Sequence, residues 1–267
     1  MANIKDQMNL AGRVAIITGG AGHLGRVMAN TLAEAGANIV IVDINMKKID
    51  SVCAELSKKW RVKTLGIAVD LEDNEQRRQI AKKTISAMGR LDILINNAAF
   101  VGTSELSGWG VPFEQQNTET WRRALEVNLT AIFDLTQTCT PWLKQSGHGS
   151  IINVASIYGI VGPDPRLYEN LDMFNPAAYA ASKGGVVQFT KWCATVLAPD
   201  VRVNAITPGG IFRNQHPDFL ERYESRTPLK RMAQEDDFIG ATVFLASDLS
   251  QYITGQNIVV DGGFSVW

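Results

Sequence analysis

Short apolar runs rich in β-branched residues recur along the chain and alternate with helix-length amphipathic stretches. The runs are Val14–Ile17, Asn38–Val42, Thr64–Val69, Ile93–Ile95, Ile151–Val154, Val201–Ile206 and Ile258–Val260. Continuous apolar character over so few residues predicts a strand buried on both faces, since neither face has to meet water. Between them, stretches such as Lys47–Trp60 and Glu75–Met88 carry helical spacing. Strand and helix in alternation lead to right-handed crossovers and a parallel sheet covered on both sides. The expected class is α/β, a doubly wound parallel sheet of about seven strands with helices on both faces. No linker, charge block or repeat divides residues 1–267, so one domain is expected.

Charge narrows the choice of partners. There are 26 basic and 27 acidic residues, so nothing calls for a nucleic-acid backbone or an anionic membrane. Cys53, Cys139 and Cys193 are widely spaced and show no metal-ligand pattern. No metal site is expected, and free thiols suit a reducing, cytoplasmic compartment. The opening MANIKDQMNLAGR lacks the apolar centre of a signal peptide, and no run approaches the roughly 18 apolar residues of a membrane helix.

Two segments interrupt the rhythm, at about 100–117 and 163–176, and a third, at about 211–228, is expected to roof the same pocket. Each follows a predicted strand at its carboxyl end, where open α/β sheets bind ligands. They are expected to form substrate loops; the alternative is insertion without function.

The first strand runs into Thr18-Gly19-Gly20-Ala21-Gly22-His23-Leu24-Gly25 and then a helix. Gly20, Gly22 and Gly25 satisfy G-x-G-x-x-G, whose small residues let backbone N–H groups and a helix N-terminus approach a pyrophosphate. Asp43 follows Gly25 by 18 residues, at the tip of the second strand. A carboxylate there accepts hydrogen bonds from a ribose 2′-hydroxyl and repels a 2′-phosphate, which favours NAD over NADP. Its alternative reading is a helix N-cap. A nucleoside-triphosphate loop is disfavoured, because Arg26-Val27 stand where Lys-Ser/Thr is needed.

Tyr179-Ala-Ala-Ser-Lys183 lies in an Ala-rich helical run that opens near Pro176. Residues four apart share a helix face. A nearby ammonium, like an oxidised nicotinamide, lowers a phenol's pKa and makes it fit to shuttle a proton at a carbinol oxygen. Taken alone, the pair also fits a solvated helix face.

Taken together, these motifs resemble the short-chain dehydrogenase/reductase family over essentially the whole chain. The resemblance rests on TGGAGHLG at 18–25, Asp43, VDL at 69–71, NNAA at 96–99, VNLT at 127–130, INVAS at 152–156, YAASK at 179–183, RVNAITPGG at 202–210 and ITGQNIVVDGG at 253–263. It implies a single-domain Rossmann fold and four catalytic positions. Tyr179 is the acid/base, Lys183 tunes it and holds the nicotinamide ribose, Ser156 bonds the reacting oxygen, and Asn128 binds a relay water. Asn128 as a helix-kink residue and Ser156 as a strand-end turn residue are the plainer alternatives. The cofactor positions it implies are Thr18, Gly19, Gly20, Gly22, His23, Leu24, Gly25, Asp43, Asp70, Leu71, Asn97, Ala98, Ala99, Tyr179, Lys183, Pro208, Gly209 and Ile211. It also implies a homo-oligomer, tetramer or dimer, built through the helices that hold Asn128 and Tyr179 and through the C-terminal strand. The apolar tail Gly263–Trp267 suits such burial.

The chain departs from the family's commoner pattern. His23 occupies a usual glycine, Ala99 replaces another, and Arg213 stands where Thr often contacts the carboxamide. The glycine loop's spacing is more typical of longer nucleotide-sugar epimerases. Ser156 and Tyr179 are 23 residues apart, more than is common, with PDPRLYENLDMFNP in between. Tyr168-Glu169, Asn214-Gln215 and the terminal DGG-aromatic resemble a bacterial subgroup acting in surface-sugar and flagellin-modification pathways. Ser156, Tyr158, Arg166, Arg213 and Asn214 are the expected substrate contacts. Their segments read as polar and basic, which suits a small polyhydroxylated molecule such as a sugar, sugar phosphate or sugar acid. The leading expectation is an NAD-dependent oxidoreductase on a secondary alcohol. The alternatives are an NADPH-dependent 3-oxoacyl-carrier-protein-type reductase, a sugar epimerase or dehydratase, and a non-catalytic NAD-binding protein.

Overall fold

The computed structural model describes residues 3–101 and 104–267. A short helix α1 (Ile4–Met8) precedes β1 (Val14–Thr18), α2 (His23–Glu34), β2 (Asn38–Asp43), α3 (Met46–Trp60), β3 (Thr64–Ala68), α4 (Asn74–Met88) and β4 (Ile93–Asn96). Then come α5 (Thr118–Leu125), a π turn over Glu126–Thr130, α6 (Ala131–Ser146), β5 (Gly149–Val154), α7 (Ala177–Leu197) and β6 (Val201–Pro208). The chain ends with α8 (Pro217–Arg226), α9 (Ile239–Ala246) and β7 (Asn257–Val260).

The strands form one parallel sheet in the order β3-β2-β1-β4-β5-β6-β7. Alternate side chains of each strand enter opposite cores. On one face Ala15, Ile17, Ile39, Ile41 and Ile95 pack with Met28 and Leu32 of α2, Ile49 of α3 and Leu245 of α9. On the other, Val14, Ile16, Val40, Leu94 and Ile151 pack with Ile80 of α4, Cys139 of α6 and Cys193 of α7. Full burial of each such aliphatic side chain stabilises by about 1.5–3 kcal/mol.

Helix boundaries follow local chemistry. Asn45 and Asp73 cap α3 and α4 by accepting backbone N–H bonds, and Gly89 ends α4 in the left-handed region at φ 79°. Two expectations need correction. The strands β3 and β7 are not buried on both faces: they are the sheet edges, with one neighbour each, and Val259 is 40% exposed. The segment 211–228 is not wholly loop, because His216 and Pro217 start α8 there.

Strand order reverses between β1 and β4, and their carboxyl ends open a crevice there. Thr18 stitches it together: its hydroxyl accepts from the N–H groups of Asn97 (3.0 Å) and Ala98 (3.1 Å).

Candidate active site

The crevice continues into a cavity of about 850 Å³ that runs from Asp43 at one end to Phe219 at the other. The glycine turn forms its floor. A Cβ on Gly25 would run into the Gly19 carbonyl, and one on Gly19 would meet the Asn97 amide at 2.9 Å. Gly19 itself takes φ +61°, which suits a residue without Cβ. Asn97 donates to the carbonyls of Thr18 (2.9 Å) and Gly19 (3.2 Å) and holds the turn in place. Gly22 precedes α2 with no side-chain cap, so the helix's first N–H groups and positive dipole end face the cavity. Gly19, Gly22, His23, Leu24 and Gly25 line it. Thr18 and Gly20 do not: Thr18 is buried between strands, and Gly20 sits against the Ile41 side chain. Both shape the turn from behind. His23 is well exposed at the rim, 3.9 Å from Glu235.

Asp43 projects into the same cavity. One carboxylate oxygen accepts from the Ala21 N–H at 3.1 Å, the other from the Ile44 N–H at 2.8 Å. Asn45, not Asp43, caps α3. Asp70, Leu71, Ala98, Ala99, Pro208, Gly209 and Ile211 also line the cavity. At that end Arg123 makes two 2.8 Å bonds to Glu72, a pairing with no sequence signal because α5 and the loop after β3 are far apart in the chain.

Ser156, Tyr179 and Lys183 meet at the centre. The Lys183 ammonium donates to the Val154 carbonyl at 2.7 Å and lies 5.8 Å from the Tyr179 ring centre. Lys183 is 2% exposed, and loss of hydration pulls its pKa down from 10.5 to about 8. Burial likewise raises the Tyr179 pKa, and the Ser156 hydroxyl only partly opposes it. Desolvation thus sets the direction of the Tyr179 shift, opposite to the lowering expected from the ammonium. Tyr179 is braced by Trp109, whose ring meets it edge-on at 6.5 Å.

Lys183 has a measurable consequence. Between about pH 8 and 10.5 the unfolded chain binds the proton that the folded chain has released. Stability therefore rises with pH across that window, and the cost of the buried ammonium near neutral pH is about 3 kcal/mol. Urea unfolding near pH 7 and about pH 9.5 should show wild type gaining on a Lys183→Met variant. A pH-independent difference would refute this.

Asn128 is fully buried in the π turn. Its carbonyl oxygen accepts from the Phe100 N–H (2.7 Å), and its amide donates to the Phe100 carbonyl (3.1 Å) and to Ser182 Oγ (3.2 Å). It ties the start of the 100–117 segment to α7. The buried Arg77 guanidinium fixes the turn from below, bonding Glu126, Asp134 and the Leu71 carbonyl at 2.6 Å each. Gln116 caps α7 by accepting from the Ala177 N–H at 2.9 Å.

The substrate end departs most from expectation. Arg166 and Asn214 do not line the cavity. Arg166 is exposed and forks onto Asp164, and Asn214 occupies a left-handed turn at φ 54°. Arg213 does line it, but its guanidinium pairs with Glu235 at 2.6 Å. The wall is largely aromatic and apolar: Tyr158, Tyr168, Met173, Phe174, Phe219 and Met232. Of these, only Tyr158 was an expected contact. The i, i+4 pair Phe219 and Tyr223 was the available signal, since it gives α8 an apolar face.

Comparison with known proteins accords with this geometry. Residues 19–265 match the protein family described as enoyl-(acyl carrier protein) reductase. A 3-oxoacyl-[acyl-carrier-protein] reductase of Thermotoga maritima is 32% identical over 97% of this chain and 100% of its own length. A 2,5-dichloro-2,5-cyclohexadiene-1,4-diol dehydrogenase of Sphingobium indicum is 35% identical over 96% of this chain and 98% of its own. The crystal structure of a short-chain type dehydrogenase/reductase from Mycobacterium marinum superposes with a TM-score of 0.86, at 29% identity and 99% coverage of both chains. Sequence, sheet order and cavity thus agree, and the chain belongs to the short-chain dehydrogenase/reductase family, enzymes that interconvert CH–OH and carbonyl groups.

Proposed function

We propose that the protein is an NAD-dependent dehydrogenase/reductase that interconverts a small secondary alcohol and its ketone. The observation that carries this reading is the convergence of Ser156, Tyr179 and Lys183 on the cavity that also holds the glycine turn and Asp43. The cleft fits a dinucleotide: the free N–H groups at the start of α2 suit a pyrophosphate, and the Asp43 carboxylate suits a ribose diol. A bound nicotinamide supplies the hydride acceptor or donor. Tyr179 takes the alcohol proton during oxidation and returns it during reduction. Ser156 donates to the reacting oxygen and orients it. Lys183, protonated below about pH 8, stabilises the phenolate as it forms. Asn128 acts from behind, by fixing the Phe100 backbone against α7.

The cofactor choice rests on the Asp43 charge. An NADPH-dependent reductase of the 3-oxoacyl type would bring a phosphate dianion against it. A purely binding role leaves Tyr179 and Lys183 without purpose. For the substrate, a second reading is a polyhydroxylated molecule of the kind handled in surface-sugar pathways. The Asn175, Asp172 and Gln215 side chains in the cavity favour it, although Gln215 already bonds the Ile211 carbonyl (2.8 Å) and the Arg213 N–H (2.7 Å). We also propose a homo-oligomer, supported by the exposed Phe133 on α6 and Trp192 and Val196 on α7. The free thiols of Cys53, Cys139 and Cys193 support a cytoplasmic setting.

The test is NAD or NADP reduction on a panel of sugars, sugar acids, sugar phosphates and ring alcohols, followed by absorbance of the reduced nicotinamide. Reduction of NAD by at least one alcohol is the expected result. Tight NAD binding without any turnover would instead support an epimerase or a non-catalytic protein.

A further inference from the structure

The segment between Ser156 and Tyr179 brings a second phenol to the cavity. The hydroxyls of Tyr158 and Tyr168 lie 2.7 Å apart, and both residues line the substrate end. Tyr168 is held by packing. Its ring tilts against Phe219 at 5.6 Å, and it joins the small core of Ile157, Leu167 and Tyr223. The two phenols carry two hydroxyl protons and share one bond. One phenolic O–H is therefore left to donate into the cavity.

Charge at this end disfavours an anion clamp. The arginine there, Arg213, is already paired with Glu235, and Arg123, at the Asp43 end, is paired with Glu72. A phosphate or carboxylate would have to share Arg213 with Glu235. An uncharged oxygen needs only the spare phenolic proton. Around it stand Phe219, Met173 and Met232, which suit the flat apolar body of a small ring.

We propose that Tyr168 is a specificity-determining residue that, through Tyr158, donates to a second, uncharged oxygen of the substrate. The substrate class is then a compact ring carrying the reacting CH–OH and a further hydroxyl or carbonyl across the ring. This rests on the dehydrogenase reading above and extends it.

The probes are cyclohexanol and 1,4-cyclohexanediol with NAD, using wild type, Tyr168→Phe and Tyr158→Phe. Wild type is expected to prefer the diol in kcat/KM by about tenfold, the worth of one well-placed hydrogen bond. Tyr168→Phe should remove most of that preference, raising KM for the diol by more than KM for cyclohexanol. Tyr158→Phe should remove it as well. Melting temperature and NADH fluorescence of each variant check that the fold and the cofactor cleft persist. An equal loss on both alcohols would make Tyr168 merely structural and overturn the proposal. So would an undiminished diol preference, or turnover of sugar acids or phosphates with neither ring alcohol oxidised. Absence of NAD reduction by every alcohol tested would instead bring down the dehydrogenase reading itself.

Discussion

Replacing Tyr179 by phenylalanine should lower kcat by about 10²–10⁴-fold and leave NAD affinity within a few-fold. The substitution removes one oxygen and keeps the ring that packs edge-on against Trp109. Fold and cleft should survive, since the substitution leaves the backbone and the ring packing of α7 as they are. What is lost is the group that moves the proton. The structure also says why the residual rate should be so small. The nearest other phenol, Tyr158, is bonded to Tyr168, and burial raises its pKa, so it is a poor substitute for Tyr179. Lys183 is committed to the Val154 carbonyl. Steady-state rates of NADH formation, with cofactor affinity measured separately by fluorescence, check both halves. A drop of less than tenfold would remove Tyr179 from the acid/base role.

The second large effect concerns cofactor choice. Asp43→Asn should shift the NAD/NADP ratio of kcat/KM toward NADP by about 10²-fold, since like charges brought together cost several kcal/mol. Asparagine is the informative substitution. Its side-chain oxygen can still accept from the Ala21 N–H, so the glycine turn keeps its support while the charge goes. Retained discrimination in this variant would mean that the shape of the cleft, rather than the carboxylate, rejects a 2′-phosphate. Relative kcat/KM for the two cofactors on one alcohol is the measurement.

The cofactor half of the site was legible in the sequence because it is written in contiguous motifs. Strand, glycine turn and helix follow one another, and Asp43 falls at a strand tip whose position the apolar run already defines. The same holds for Tyr179 and Lys183, whose shared face follows from helical spacing. The failures have physical causes. Arg166, an expected substrate contact, lies off the cavity on Asp164, and Arg213 lines it with its guanidinium on Glu235. Ion pairing depends on approach in three dimensions, and composition carries no trace of it. The aromatic wall was hidden for the same reason: Tyr158, Tyr168 and Phe219 come from three separate segments and meet only in the fold. Burial of β3 and β7 was overestimated because a strand's place at the edge is a property of sheet order.

The aromatic wall is also a small core in its own right. Ile157, Leu167, Phe219, Tyr223, Met232 and Phe264 pack with one another, apart from the two large clusters that clamp the sheet. Regions with few buried contacts open at lower free energy than the main core. Warming should therefore loosen recognition before it loosens the scaffold, and leave an interval in which the protein still holds its cofactor but no longer knows its substrate. The same partition lets inheritance act on the two parts separately. Changes in the outer cluster can alter which alcohol is admitted while the machinery that moves hydride and proton stays as it was.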